Sequence, residues 1–281
     1  MNPAGALLEM DQVTIRFGGV VAISDLDLAI PEGSIFGLIG PNGAGKTSSF
    51  NVITGVYQVS EGIIRFAGAP LNGLKPHRIT QRGVARTFQN IRLFPEMSAL
   101  ENVMVGADAQ HRTGIPGAIL GLPRHRREQR DGEALARELL DFCGIVEVAE
   151  EAARNLSYGS QRRLEIARAL ATRPKLLLLD EPAAGMNPAE KHGLAELIRA
   201  IRDRGVTVLL IEHDMSLVMS ICDRIAVLDF GRKIAEGRPE EVRESPAVIE
   251  AYLGRPDTDD ESPLDAMAAD QEPGAEVTDA S

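Results

Sequence analysis

Apolar residues recur along this chain in two rhythms. From residue 7 to 39 they alternate and cluster between turn signals at Gly18-Gly19 and at Pro31, Glu32 and Gly33, which predicts several short strands. Ser34 to Ile39 is the last of them. It runs into a glycine-rich stretch, Gly40 to Gly45, and then into Lys46 to Thr54, which lacks a breaker and predicts a helix. From Ala99 to Glu151 the spacing turns helical, with Leu135, Leu139, Leu140 and Phe142 in phase and a Gly-, Pro- and Arg-rich interruption from Arg112 to Arg130. After Leu156 helices and strands alternate: a helix from Gln161 to Thr172, a strand from Lys175 to Leu179, a helix from Ala189 to Arg204, a strand from Val206 to Ile211, a helix over 214–222 and a strand near Ile225 to Leu228. Such alternation implies an α/β fold with a mainly parallel sheet covered on both faces.

Composition bounds this picture without changing it. The chain has 281 residues, 44% hydrophobic and 25% charged, close to a soluble globular average, and its longest apolar runs are strand-length. They fall well short of the roughly 20 residues that cross a bilayer, so a membrane role must come through a partner. Formal charge is −11, of which −8 lies in residues 255–281, nine acids and one base among Ala and Pro, which reads as an acidic disordered tail. The remaining −3 argues against nucleic acid as a partner. Cys143 and Cys222 form no zinc spacing and no disulfide framework, and the N-terminus carries no export signal, so a reducing cytosol is the expected compartment.

The chemistry starts at the glycine-rich stretch. Gly40, Pro41, Asn42, Gly43, Ala44, Gly45, Lys46 and Thr47 fit G-x-x-x-x-G-K-[ST], directly after an apolar strand and at a helix start, with Ser48 next. Glycines let backbone N–H groups close around a nucleotide phosphate chain, and the helix N-terminus favours its charge. Lys46 is expected to reach the β/γ-phosphates and Thr47 to ligate Mg²⁺. Further on, four leucines end in Asp180 and Glu181, two acids at the edge of the sheet where ligands bind. Asp180 would hold Mg²⁺, and Glu181 would polarise the attacking water of a phosphoryl transfer. Taken alone, the pair also suits a strand-end turn with a helix N-cap. Ser157, Tyr158, Gly159 and Ser160 form a second Ser/Gly turn before a helix; this suits a plain N-cap, or a grip on a γ-phosphate held by another copy.

The phosphate loop, Gln89, this turn, the Asp180-Glu181 pair and His213, in that order, resemble the nucleotide-binding subunit of an ABC transporter over residues 8 to 254. The resemblance implies a P-loop NTPase core with a small antiparallel β part and an inserted α-helical subdomain at roughly 95–160, in an ATPase domain over 1–254. By the same likeness Phe17 would stack on adenine, Gln89 would touch Mg²⁺ and link to the transporter, Ser157 and Gly159 would contact the γ-phosphate in trans, and His213 would be the γ-phosphate switch, with catalysis resting on Glu181, His213 and Lys46. Tyr158 and Ser160 depart from the usual L-S-G-G-Q, and Asn187 stands where an Asp is usual.

Arg86 to Phe94, Gln161 to Arg168, Pro182 to Pro188, Ile211 to Met215 and the ending Ala251 to Gly254 resemble the branched-chain amino-acid importer ATPases, relatives of urea and short-amide importers and of the lipopolysaccharide-export ATPase. This implies ATP and Mg²⁺, transmembrane permease subunits, a second ATPase subunit, favoured as a different polypeptide, an extracytoplasmic solute-binding protein, and a peripheral place on the cytoplasmic face of the inner membrane. A soluble ABC ATPase acting on DNA or ribosomes would want coiled-coil inserts, zinc cysteines or tandem cassettes, which this chain lacks. Phe94, Met97 and Leu100 suit either an apolar groove for a helix of the membrane subunit or core packing. The run from Arg124 to Arg130 suits a solvated helix face or lipid headgroups.

Overall fold

The computed structural model describes residues 5–108 and 123–253, with the side chains of all of these except Asp108, residues 123–128 and Leu253. The acidic tail and most of the Arg112 to Arg130 stretch therefore lie outside the described residues.

Two sheets carry the molecule. The first is antiparallel, ordered β2-β1-β4-β5, from β1 (Ala6–Phe17), β2 (Val20–Pro31), β4 (Glu61–Phe66) and β5 (Ala69–Pro70). The expected several short strands are instead two twelve-residue strands before β3. Their polar breaks are irregularities within the strands: Gln12 and Asp25 take left-handed backbone, and the β1–β2 register shifts between Met10 and Val13.

The second sheet has the order β10-β9-β3-β8-β7-β6, from β3 (Ile35–Ile39), β6 (Val84–Arg86), β7 (Leu176–Asp180), β8 (Thr207–Ile211), β9 (Arg224–Asp229) and β10 (Arg232–Gly237). All pairs are parallel except β9 with β10. β3, β7 and β8 are buried along their whole length, which is why they read as unbroken apolar runs. Successive residues serve opposite faces. Leu177, Leu179, Val208 and Leu210 join a core with the helices, whereas Leu176, Leu178, Leu209 and Ile211 join a core with the antiparallel sheet.

Helices follow the strands as α1 (Lys46–Ile53), α2 (Pro76–Gln81), α3 (Ala99–Asp108), α4 (Pro123–Phe142), α5 (Tyr158–Ala171), α6 (Pro188–Asp203), α7 (Met215–Ile221), α8 (Pro239–Arg243) and α9 (Pro246–Leu253). α4 begins inside the stretch expected as an interruption, since Arg, Glu and Gln are good helix formers once Pro123 has opened the first turn. α5 starts three residues earlier than expected because Ser157 caps it. Leu100 is buried in the helical core, whereas Phe94 and Met97 are exposed. Both cysteines are free and buried, and burial pushes the Cys143 thiol up to about 12.

Candidate functional site

The register sets the site. Ile39 ends β3 beside Val227, and Leu38, Ile211 and Asp180 align across β3, β8 and β7. The chain therefore leaves three neighbouring strands at one sheet edge, the C-terminal one, where α/β sheets bind ligands.

From β3 the chain enters the glycine loop. Gly40 has φ +147°, and a Cβ there would lie 2.1 Å from the Leu228 carbonyl; Gly45 has φ +104°, and a Cβ would meet the Ala22 carbonyl at 2.8 Å. Only glycine fits either place. Gly45 precedes α1 with no side-chain cap and no acid in the first turn, so the helix presents uncapped N–H groups to an anion. Lys46 is 6% exposed and folds back over the loop, donating to the carbonyls of Gly40 and, at 3.0 Å, Pro41. Burial lowers its pKa, while Glu181 and Asp180 oppose the shift. An incoming phosphate would supply the compensation that such a buried cation lacks. Thr47 is exposed and Ser48 half-buried in that first turn.

Asp180 is buried at the end of β7, and its Oδ2 accepts from Arg86 Nη2 at 2.7 Å. Arg86 also donates to Asn51 Oδ1 of α1 at 2.8 Å and lies over the rings of Phe50 and Phe88. Nothing in the sequence motif announced this clamp; the one available signal was a cation on a short, otherwise apolar strand. The other carboxylate oxygen makes no hydrogen bond among the described residues, which leaves it open to a metal. No group of three or more His, Cys, Asp or Glu poised for a metal occurs among the described residues. One carboxylate, the Thr47 hydroxyl and the Gln89 carboxamide are hard oxygen donors that suit Mg²⁺ shared with a phosphate chain.

Glu181 stands next to this carboxylate in left-handed backbone, φ +48°, with its N–H on the Ile211 carbonyl at 2.9 Å. For a non-glycine residue that conformation costs on the order of 1–2 kcal/mol, and such strain concentrates at working sites. Its side chain is the centre of the arrangement: Oε1 lies 2.6 Å from His213 Nε2, and Oε2 accepts from Gln89 Nε2 at 2.6 Å. Three residues singled out separately in the sequence thus meet on one carboxylate.

The second Ser/Gly turn does not join them. The side-chain hydrogen bonds of Ser157 stay in its own turn, accepting from Ser160 N–H at 3.2 Å and donating to Ser160 Oγ at 3.0 Å. Gly159 is buried, and a Cβ there would sit 2.8 Å from Glu190 Oε1. Tyr158 fills the first departure from the usual signature: its hydroxyl accepts from Arg162, which is fully buried, pairs with Glu165 and donates to the carbonyls of Phe88 and Gln89. Asn187 caps α6 in a reciprocal capping box with Glu190, a post at which Asn serves as well as Asp. Phe17, half exposed at the end of β1, meets the Tyr57 ring edge-on at 4.9 Å.

Comparison with known proteins places this geometry. The profile of the ABC transporter family matches residues 23–184, and that of the branched-chain amino acid ATP-binding cassette transporter family matches residues 232–258. The high-affinity branched-chain amino acid transport ATP-binding protein BraF of Pseudomonas aeruginosa is 49% identical over 252 residues, covering 88% of this chain and 98% of its own. Its counterpart LivG of Salmonella typhimurium is 48% identical over 249 residues, with the same coverage of each. Among solved structures, the ADP conformation of an ATP-binding cassette of an ABC transporter superposes with TM-score 0.78 at 30% identity, covering 89% of this chain and 99% of that one. A family profile over more than half of the residues, relatives near half identity across almost their full length and a shared cassette fold together show that the chain belongs to the ABC transporter family, as one of its ATP-hydrolysing ATP-binding subunits.

Proposed function

We propose that this ATPase energises an importer of branched-chain amino acids and works as half of a nucleotide sandwich. The observation that carries the catalytic reading is the meeting of Gln89 and His213 on the Glu181 carboxylate, at the sheet edge that also carries Lys46. The solute class rests on BraF, on LivG and on the match at residues 232–258.

In this reading the loop from Gly40 to Gly45 and Lys46 bind the phosphates of ATP, with Ser48 beside them, and Phe17 stacks on adenine. Thr47, Asp180 and Gln89 would hold Mg²⁺, which when bound neutralises charge on the phosphate chain. Glu181 accepts a proton from the attacking water, and His213 holds the Glu181 carboxylate in place and contacts the γ-phosphate. Ser157 and Gly159 close on the nucleotide of a partner ATPase, favoured as a different polypeptide. The Ser157 side chain bonds within its own turn rather than to Lys46, Asp180 or Glu181, which supports that division. When the γ-phosphate leaves, its charge-assisted contacts on both sides are lost and the sandwich opens.

No described helix is long and apolar enough to cross a membrane. In this reading, which rests on the likeness to importer subunits, the protein acts through permeases on the cytoplasmic face, with an extracytoplasmic binding protein delivering solute. Exposed Phe94 and Met97, beside Gln89 in sequence, supply an apolar contact for a permease helix. The test is reconstitution in liposomes with permeases, partner ATPase and binding protein, scoring ATP-driven leucine uptake. Uptake is expected with the wild type and abolished in Lys46→Ala and Glu181→Gln, the latter still binding Mg-ATP. Uptake of urea or a short amide in place of leucine would overturn the solute class, and full turnover by Glu181→Gln would remove Glu181 from its role.

A further inference from the structure

β7 and β8 stay in register as far as Asp180 opposite Ile211, and the Glu181 N–H closes their ladder on the Ile211 carbonyl. Beyond that bond the two chains part. Glu181 turns through left-handed backbone toward Pro182 and Ala183, while the chain leaves β8 through Glu212, His213 and Asp214. One side chain spans the gap. Glu212 is 4% exposed; one carboxylate oxygen accepts from the Ala183 N–H at 2.6 Å, and the other accepts from the N–H groups of His213 at 2.9 Å and Asp214 at 3.4 Å. Burial raises its pKa, and the three amides work against that rise because they favour the ionised form. Its partners are backbone amides rather than a cation, an expensive setting for a carboxylate that does no more than fill space.

We propose that Glu212 is a positioning residue for ATP hydrolysis. It ties the turn carrying Glu181 to the loop carrying His213, and so fixes the 2.6 Å approach of those two side chains from behind. The inference rests on the roles assigned above to Glu181 and His213. A carboxylate is required because each oxygen faces only donors. Glutamine would keep the shape but turn an NH₂ group against a backbone N–H on one side, releasing either Ala183 or the His213 loop.

The experiment compares the full-length wild type, Glu212→Gln, Glu181→Gln and the double variant for Mg-ATP turnover and for Mg-ATP binding by calorimetry. Glu212→Gln is expected to lose about tenfold or more in kcat with KM and Kd changed by less than about twofold. In the Glu181→Gln background the same substitution is expected to lower kcat by less than about twofold, because both changes act through one carboxylate. An undiminished kcat overturns the proposal, and so does an equal proportional loss in both backgrounds, which is how a general loosening of the fold behaves. Should Glu212→Gln melt below the assay temperature, Glu212→Asp takes its place: it keeps the charge but is one methylene too short to reach both loops. The same kcat loss is then expected, and full turnover overturns the proposal. Failure of the underlying reading looks different, since Glu181→Gln alone would then turn over at the wild-type rate.

Discussion

Arg86 shows what a single side chain can settle. It joins the acid at the end of β7 to Asn51 of α1, the helix that opens with Lys46, so the two sequence motifs for phosphate and metal are tied together by a residue in neither. Both charges of the pair are less than a tenth exposed, at 7% and 4%. Breaking a buried pair from one side leaves an uncompensated charge, with a cost of about 3–5 kcal/mol. Arg86→Met is therefore expected to lower the unfolding free energy by an amount in that range, read in urea as a fall in the midpoint with the slope unchanged. Asp180→Asn combined with Arg86→Met should recover part of the loss, because the stranded carboxylate is gone. Glu181 was legible because strand ends expose side chains to ligands, whereas His213 was legible only through the family resemblance. Arg86, Arg162 and Glu212 were not, since their partners lie on other elements and no spacing along the chain encodes them.

At the scale of elements, Asn187 permits a separate check. As the cap of α6 it closes a capping box with Glu190, and Glu190 in turn lies under Gly159 of the second Ser/Gly turn. Asn187→Ala is expected to cost about 0.5–2 kcal/mol in chemical denaturation, and Asn187→Asp only a few tenths. The strand, loop and helix around Lys46 could be read directly from the chain, because β3 is buried on both faces and its loop needs glycine at places where backbone crowds backbone. β1 and β2 could not. Gln12 and Asp25 interrupt the apolar alternation, yet the strands absorb them as local irregularities held by side-chain hydrogen bonds, such as the Gln12 N–H on Asp27 Oδ1 at 2.8 Å. The start of α4 was hidden for the opposite reason: a strongly charged run gives no apolar period, though its residues favour helix.

For the whole molecule, the groups proposed for catalysis and those proposed for contact in trans lie on different elements, and the charge is equally segregated, with −8 of the net −11 in residues 255–281. Removing those residues is expected to leave Mg-ATP turnover within about twofold of the full chain, since among the described residues the contacts on Asp180 and Glu181 come from residues before them. A larger loss in a steady-state assay would give the acidic segment a part in hydrolysis. The sheet order has a consequence for biosynthesis. β3 pairs with β8 and β9, both of which lie more than 160 positions further along the chain. While the ribosome is still making the first two hundred residues, the strand that presents the phosphate loop has neither of its neighbours, and closing so long a loop is slow. A nascent chain therefore has no finished pocket in which to trap cellular ATP until Thr207–Asp229 has emerged, so nucleotide capture belongs to the late stage of synthesis.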